Sequence, residues 1–206
     1  MLTALKHLQI FYPKHFDIIA ISINPGFDFF DLDLLHSVCN DLEIPLFIEN
    51  SHAKEIVFDI RKEKNPCSLC ANIRRGALSS IAIRENCNKI ALGHNKDDSI
   101  ETLIMNLFYN GNIFTFSPSS YMSRSNITII RPLITTSEKE IRKFINRNNI
   151  VVMEKTCPMD GFTKREEIKR LIHDLSINNP MLEANLFGAI QRSNITGWNL
   201  DNSKCP

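Results

Sequence analysis

The chain has 206 residues, of which 43% are apolar and 23% are charged, and its formal net charge is +1. This length and apolar fraction fit one compact α/β domain, and the near-neutral charge excludes a uniformly basic nucleic-acid binder while allowing a local basic patch. No apolar run approaches the ~18 residues of a membrane span, and no signal-peptide cleavage pattern follows the N-terminal segment, so we expect a cytoplasmic protein with no membrane partner.

Short apolar runs alternate with helical patterns along the chain. The runs are rich in Ile and Val and lack polar alternation, which is typical of parallel strands covered on both faces. The predicted strands lie at residues 17–24, 44–49, 89–93, 127–133 and 150–154. The predicted helices lie near the N-terminus (Leu2, Leu5, Leu8) and at residues 68–84, 97–109 and 137–148. This order predicts a doubly wound parallel α/β sheet.

We expect one domain over residues 1–190, followed by a polar and poorly ordered tail at 191–206. Residues 110–125, with Gly, Pro and several Ser, indicate an ordered loop rather than a domain boundary. The helix at 137–148 opens with Ser137 and Glu140 in the spacing of a capping box.

Two of the six cysteines stand three residues apart at the start of a predicted helix. Residues at this spacing share a helical face, so the sulfurs of Cys67 and Cys70 can reach one metal centre. Cys157 follows a predicted strand end, where the sites of open α/β sheets gather. Three thiolates could hold zinc with a fourth ligand or a [4Fe–4S] cluster with one open iron, and the spacing does not choose between them. A structural pair or a thioredoxin-like dithiol is the alternative for Cys67 and Cys70.

A turn that carries two adjacent aspartates, Asp97 and Asp98, follows a buried strand and starts a helix. Such a turn points backbone N–H groups and the positive end of a helix toward a ligand. With Gly93 and His94 before them, the aspartates indicate a Mg²⁺-ATP or catalytic site. The simpler interpretations are a helix cap, because Asp98 with Glu101 fits a capping box, and a buried, hydrogen-bonded His94.

Basic residues stand near the predicted strand ends. Arg74 and Arg75 follow the cysteine pair by one turn, Arg131 ends a strand, and Lys164 and Arg165 follow Cys157. Each alone is ordinary surface charge, but together they predict a focused phosphate-binding patch suited to tRNA or a nucleotide.

These segments together resemble the tRNA 2-thiocytidine biosynthesis (TtcA-like) family. The resemblance is carried by CSLC…RRG, KIALGHNKDDSIETLIMNLFY, RPLI and TCPMDGFTKREEIK, which appear in the family's order over residues 6–190. The GHxxDD turn is shared more widely with N-type ATP pyrophosphatases of the PP-loop superfamily, including lysidine synthetases. The three cysteines indicate the thiolating branch.

The resemblance implies a fold of the adenine nucleotide α-hydrolase-like (HUP) type that binds ATP at the carboxyl edge of its sheet. It implies a tRNA sulfurtransferase that adenylates the C2 carbonyl oxygen of a tRNA cytidine, after which sulfur replaces AMP. The implied cofactors are ATP, Mg²⁺ and a [4Fe–4S] cluster, and the implied partners are tRNA and a sulfur donor protein or sulfide, with a homodimer as an option. Carried over by motif, the implied site is Cys67, Cys70 and Cys157 as cluster ligands, Asp97, Asp98 and Arg74 as catalytic residues, and Gly93 and His94 at the nucleotide.

One segment of the family's pattern is not found in the sequence. The family carries a Ser-Gly-Gly-x-Asp-Ser phosphate loop after its first strand, whereas Met1 already lies in what resembles the following helix, and the seven glycines include no adjacent pair. We therefore expect the first strand and the phosphate loop to be missing, and the 206 residues alone not to adenylate tRNA. In the family's sheet that strand lies between the strands predicted at 17–24 and 89–93.

Two alternatives stay open. The chain could be a non-catalytic, truncated remnant that binds a cluster or RNA, or it could be another N-type ATP pyrophosphatase such as a tRNA lysidine synthetase. An upstream reading frame that encodes the phosphate loop would favour an enzyme whose start was placed too late.

Overall fold

The structure is a computed structural model, and it describes residues 1–27, 30–62, 66–153, 157, 159, 161 and 163–198. The chain divides into two compact units. Unit 1 comprises Met1–Asn88 with Val152–Asp160, and unit 2 comprises Lys89–Val151 with Gly161–Pro206. Each is described by itself.

Unit 1 is built on two parallel strands. Strand β1 (Ala20–Asn24) pairs with β2 (Leu46–Asn50) from Ala20 opposite Leu46 to Asn24 opposite Asn50. Helix α2 (Leu32–Asp41) connects them, as a parallel pair requires. Asp31 caps α2 by accepting a hydrogen bond from the backbone N–H of Leu34 at 2.8 Å.

Three further helices complete the described part of unit 1. Helix α1 (Leu2–Phe11) precedes β1, and a π-helix, π1 (Glu55–Ile60), follows β2. Helix α3 (Pro66–Arg84) begins with a proline, which suits a first helical turn, and packs against β1. The buried apolar residues of this unit are Ile23, Cys39, Ile44, Ala53, Val57, Ile81 and Ala82.

Unit 2 contains a three-stranded sheet in the order β3-β5-β4. Strand β3 (Lys89–Ala91) runs parallel to β5 (Ile127–Ile130), and β4 (Ser119–Met122) pairs antiparallel with β5. The helices of the unit are α4 (Lys96–Met105), which continues into the π-helix π2 (Asn106–Asn110), α5 (Glu138–Arg147), α6 (Lys164–Asn178) and α7 (Leu182–Arg192). Its core cluster is Ile100, Leu103, Ile134, Ile168, Ile172, Phe187, Ile190, Ile195 and Trp198.

The parallel α/β class is confirmed, and four of the five predicted strands form, each within two or three residues of its expected bounds. The strand predicted at 150–154 is wrong over its described part, since residues 150–153 form none; Glu154 lies outside the described residues. The backbone N–H of Ile150 instead donates to the carbonyl of Ile145, which closes the C-terminal end of α5 around Asn149 with its φ of 49°. Val151 and Val152 are exposed. These β-branched residues favour a strand, but no neighbouring strand pairs with them in the described part of the chain.

Two further expectations need correction. The segment predicted as a loop at 110–125 contains β4, an edge strand of the sheet. Its serine residues are more typical of a loop, so the sequence did not predict this strand. The stretch after Ile190 is not uniformly polar and loose, because α7 extends to Arg192 and the side chains of Ile195 and Trp198 are buried in the core of unit 2.

Within the described residues, β1 pairs only with β2, and β3 pairs only with β5. Each of these two strands therefore has one edge without a strand partner in its own unit. The expectation that the family's first strand is missing from these 206 residues stays a prediction.

Candidate functional site

The eight predicted site residues divide between the two units. Unit 1 holds Cys67, Cys70, Arg74 and Cys157, and unit 2 holds Gly93, His94, Asp97 and Asp98.

The three cysteines predicted as metal ligands lie within electrostatic reach of one another in unit 1. Cys67 and Cys70 stand in the first turn of α3, with Cys67 exposed and Cys70 half-buried, and Cys157 is exposed. Partial burial raises the pKa of the Cys67 thiol, and the charge of Cys157 raises it further. Burial likewise raises the pKa of Cys70, the positive charge of Arg74 opposes this, and the charges of Cys157 and Cys67 add to it.

This donor set fits a thiolate-bound metal group in its chemistry. All five cysteines in the described part of the chain are free thiols, and three of them share one region of unit 1. Arg74, one helical turn after Cys70, supplies the positive charge that favours thiolates. Across the described residues, however, no set of three or more His, Cys, Asp or Glu side chains is gathered in a geometry that could hold a metal ion. Cluster binding therefore stays a prediction.

In unit 2, the two aspartates of the acidic turn fix the ends of two helices. Asn95 caps α4 by accepting from the backbone N–H of Asp98 at 2.9 Å, and Asp98 Oδ2 accepts from the backbone N–H of Asn95 at 2.9 Å. The capping box thus joins Asn95 with Asp98, so Asp98 does belong to a helix cap, with Asn95 and not Glu101 as its partner. Asp97 Oδ2 accepts from the backbone N–H of Glu138 at 2.8 Å, at the start of α5. Both carboxylates are therefore held in place by backbone donors.

Arg165 joins the acidic turn to α6. Its Nη1 donates to Asp98 Oδ1 at 3.2 Å and to Glu101 Oε2 at 3.1 Å, and its Nη2 donates to Thr102 Oγ1 at 3.1 Å. Thr163 caps α6 two residues earlier and so sets the helix start that aims the guanidinium at α4. Arg165 is engaged with α4 carboxylates, which contrasts with its predicted place in a phosphate patch.

Glu101 is the most perturbed carboxyl group among the described residues. The pKa of Glu101 is raised to about 7, with burial as the largest cause. The charge of Asp98 also raises it, whereas the charges of Arg165 and Lys169 lower it. A small cavity of ≈ 120 Å³ lies beside it, lined by residues of α4, α6 and α7 that include Asp97 and Lys169. A protonatable acid, a cation and a carboxylate thus face one small space.

His94 belongs to a stacked cluster. The centre of its ring lies 4.6 Å from the centre of the Phe116 ring. The guanidinium carbon of Arg131 lies 4.9 Å from the centre of the same Phe116 ring. Arg131 Nε donates to His94 Nδ1 at 3.3 Å, and its Nη1 donates to the carbonyl of Ser117 at 2.6 Å. Trp198 Nε1 donates to the carbonyl of Phe116 at 3.2 Å. The C-terminal part of the described chain therefore supports the segment on which His94 rests.

Gly93 is exposed, and a Cβ at this position would meet no atom within 4 Å. Neither close packing nor a left-handed backbone requires glycine there. A ligand that approaches the backbone closely would require glycine at this position. The predicted role of Gly93 at a nucleotide therefore stays a prediction. Arg74 and Arg75 are exposed on α3, and Arg75 Nη1 donates to Asn72 Oδ1 at 3.3 Å.

Sequence reasoning considered Glu101 only as part of a helix cap and placed Arg165 in a phosphate-binding patch, so it missed their pairing. A signal was present, because Asp98 and Glu101 stand three residues apart and like charges on one helical face require a cation. The sequence does not show which cation balances these two carboxylates, since Arg165 lies 64 residues from Glu101 along the chain.

Comparison with known proteins agrees with this architecture. A family model described as a PP-loop domain matches residues 14–175. The tRNA-cytidine(32) 2-sulfurtransferase of Citrifermentans bemidjiense is 32% identical over 193 residues, which is 92% of this chain and 76% of that protein. The protein of the same name from Pelobacter propionicus is 33% identical over 92% of this chain and 72% of its own length.

A solved structure with a similar fold is the U34-tRNA thiolase NcsA from Methanococcus maripaludis with its [4Fe-4S] cluster. It superposes with a TM-score of 0.70 at 23% identity, over 91% of this chain. The matched region spans 65% of that thiolase. At this level of identity the likeness shows the fold alone.

Proposed function

Because this chain belongs to the PP-loop family, and within it to the tRNA-cytidine 2-sulfurtransferases, we propose that it takes part in ATP-dependent thiolation of a cytidine in tRNA. The observation that carries the proposal is the similarity to the tRNA-cytidine(32) 2-sulfurtransferases over 92% of the chain. Cys67, Cys70 and Cys157 all lie in unit 1, which is what a shared site requires. The curated relatives carry tRNA-cytidine thiolation in their names.

The chemistry begins with activation of the cytidine C2 carbonyl. An amide-like carbonyl oxygen is a poor leaving group until it is adenylated, and adenylation depends on positioning and on neutralising phosphate charge. Asp97 and Asp98 supply carboxylates for Mg²⁺ at the start of α4, and the N–H groups of this helix end favour an anion. Gly93 leaves the backbone open to the nucleotide, and His94 is held beside it by Arg131.

Cys67, Cys70 and Cys157 would hold a [4Fe–4S] cluster, with Arg74 nearby to stabilise thiolate charge. When bound, such a cluster would carry sulfur taken from the donor, and this sulfur would replace AMP at C2. The raised pKa values of Cys67 and Cys70 mean that both thiols bind protons in the metal-free chain. Cluster assembly should therefore release protons and be favoured by rising pH.

Partners and location follow from the same proposal. tRNA is the substrate, and a sulfur donor protein or sulfide replenishes the sulfur. We place the reaction in the cytoplasm, where thiols stay reduced. No helix among the described residues is long and apolar enough to cross a membrane.

Anaerobic reconstitution with iron and sulfide tests the cluster. We expect the absorption of a [4Fe–4S] centre and its loss in Cys67→Ser, Cys70→Ser and Cys157→Ser. Cys87→Ser is the matched control, because Cys87 is a half-buried thiol of the same unit outside the set. Retention of the full cluster in Cys157→Ser, or stoichiometric zinc in place of iron in anaerobically purified protein, would contradict the proposal.

A further inference from the structure

A second surface of unit 2 stands apart from the acidic turn. Large apolar side chains are exposed in the short segment that follows α4, which we call the 107–114 surface. Its exposed members are Leu107, Phe108, Tyr109, Ile113 and Phe114. Five exposed large apolar side chains within eight residues of sequence exceed the scattered single residues of an ordinary surface, and such a concentration marks a candidate binding site.

Hydrogen bonds hold this segment in a defined shape. Asn106 Nδ2 donates to the carbonyls of Thr102 at 2.9 Å and Phe114 at 3.2 Å, and Asn106 Oδ1 accepts from Asn110 Nδ2 at 2.9 Å. Gly111 turns the chain with φ of 59°. The rings are therefore presented on a closed, hydrogen-bonded loop and lose little freedom when a ligand binds.

Cations accompany the rings. Lys164 Nζ lies 5.2 Å from the centre of the Tyr109 ring, and Tyr109 Oη donates to Glu167 at 3.0 Å. Lys164 Nζ also pairs with Glu167 at 3.1 Å, and its side chain is 62% exposed. Two of the other basic residues of α6 are engaged within the unit, Arg165 with Asp98 and Glu101 and Lys169 with Glu138. Lys164 is therefore the cation beside the rings. Aromatic faces with nearby cations and side-chain amides are the composition that stacks unpaired nucleotides. A purely apolar protein partner would not use the charges.

The distance to the acidic turn suits the same ligand. Helix α4 carries Asp97 and Asp98 at its start, and the 107–114 surface follows its end. Ten residues of α-helix span about 15 Å, which is the length of roughly four stacked nucleotides. One rigid helix can thus set the spacing between a reacting base and the nucleotides beside it.

We propose that the 107–114 surface binds unpaired nucleotides that flank the target cytidine in tRNA. This rests on the proposed function, whose site it extends. Phe108 and Phe114 stack on bases, Lys164 sits by the backbone phosphates, and Asn110 offers amide groups to base edges. The surface would then help choose which cytidine reaches the acidic turn.

The test measures binding of the full chain to a fluorescently labelled, unmodified tRNA and to its anticodon stem-loop. We expect Phe108→Ala to weaken binding about ten-fold, the loss typical of one stacking ring, and Phe108→Trp to keep it. Phe144→Ala is the matched control, because Phe144 is a partly exposed ring on α5 of the same unit, and it should leave affinity unchanged. Trp198 fluorescence checks that each variant folds.

Three results would overturn the proposal: no tRNA binding by the unsubstituted chain, equal losses in Phe108→Ala and Phe144→Ala, or a Phe108→Ala variant that dissociates a dimer with tRNA affinity intact. The last result would assign the surface to contacts between copies. A chain that binds tRNA through this surface yet forms no 2-thiocytidine would leave the surface standing and refute the proposed function instead.

Discussion

Replacing Arg165 with methionine removes the cation that joins α6 to the acidic turn. The substitution keeps much of the side chain's length and loses three donated hydrogen bonds, to Asp98, Glu101 and Thr102. Asp98 keeps its bond to the backbone N–H of Asn95. Glu101 is left with Lys169 as the cation whose charge still acts on it.

The expected loss depends on pH. The Glu101 side chain is 8% exposed and that of Arg165 is 40% exposed. Breaking a buried pair costs about 3–5 kcal/mol, and partial solvation of Arg165 puts this case nearer 2–3 kcal/mol when Glu101 is charged. The pKa of Glu101, about 7, rises further without Arg165. Near pH 5.5 the carboxyl is protonated in both proteins, and the loss should fall to about 1 kcal/mol, the worth of the lost hydrogen bonds.

Urea unfolding followed by Trp198 fluorescence measures this. Trp198 is the single tryptophan and lies in the core of unit 2, so its signal reports that unit. Arg170→Met is the matched control, because Arg170 lies on the same helix and bonds only to the carbonyl of Glu166 among the contacts described. Equal losses near pH 5.5 and near pH 8, or a loss no larger than that of the control, would refute the reasoning.

Glu101→Gln tests the titration itself. The folded-state pKa lies above the ordinary carboxyl value of 4.5, so the wild-type protein loses stability as pH rises from 4.5 to about 7. The Gln variant should lose less over that window, by about 1–3 kcal/mol. Parallel pH profiles in urea unfolding would contradict this. Gly197→Ala should cost about 2–4 kcal/mol, because its Cβ would lie 2.4 Å from Cβ of Ser117 at a φ of +84°. Gly111→Ala is its control, with positive φ and open space, at about 1 kcal/mol; equal melting temperatures for the two variants would show that the close approach is not rigid.

Local signals predicted the elements that depend on local forces. Runs of Ile and Val predicted β1, β2, β3 and β5 because both faces of a parallel strand are buried. The Ser137–Glu140 capping box is confirmed, with Ser137 Oγ accepting from the backbone N–H of Glu140. Strand-forming composition also led to the wrong prediction of a strand at Val151 and Val152, which are exposed. Strand composition works only where a neighbouring strand completes the hydrogen bonds.

Long-range pairings could not be read from the sequence. Trp198 stands in a polar stretch, and its burial depends on the close approach of Gly197 to Ser117, far away in the chain. Arg165 looks like surface charge until α6 is placed against α4. The cysteines were found by spacing and by resemblance, and the structure adds the electrostatic coupling of Cys67, Cys70 and Cys157.

Formation of 2-thiocytidine in tRNA tests the proposed function most directly. The 206 residues contain no Ser-Gly-Gly-x-Asp-Ser run, so the assay joins them to an N-terminal segment that carries this loop and supplies ATP, Mg²⁺, sulfide and unmodified tRNA. Nucleoside mass spectrometry should show ATP-dependent 2-thiocytidine, no product from the unjoined chain, and none from joined proteins with Asp98→Asn or Cys157→Ser. A joined protein with a filled cluster that makes no 2-thiocytidine, or that makes lysidine instead, would contradict the account.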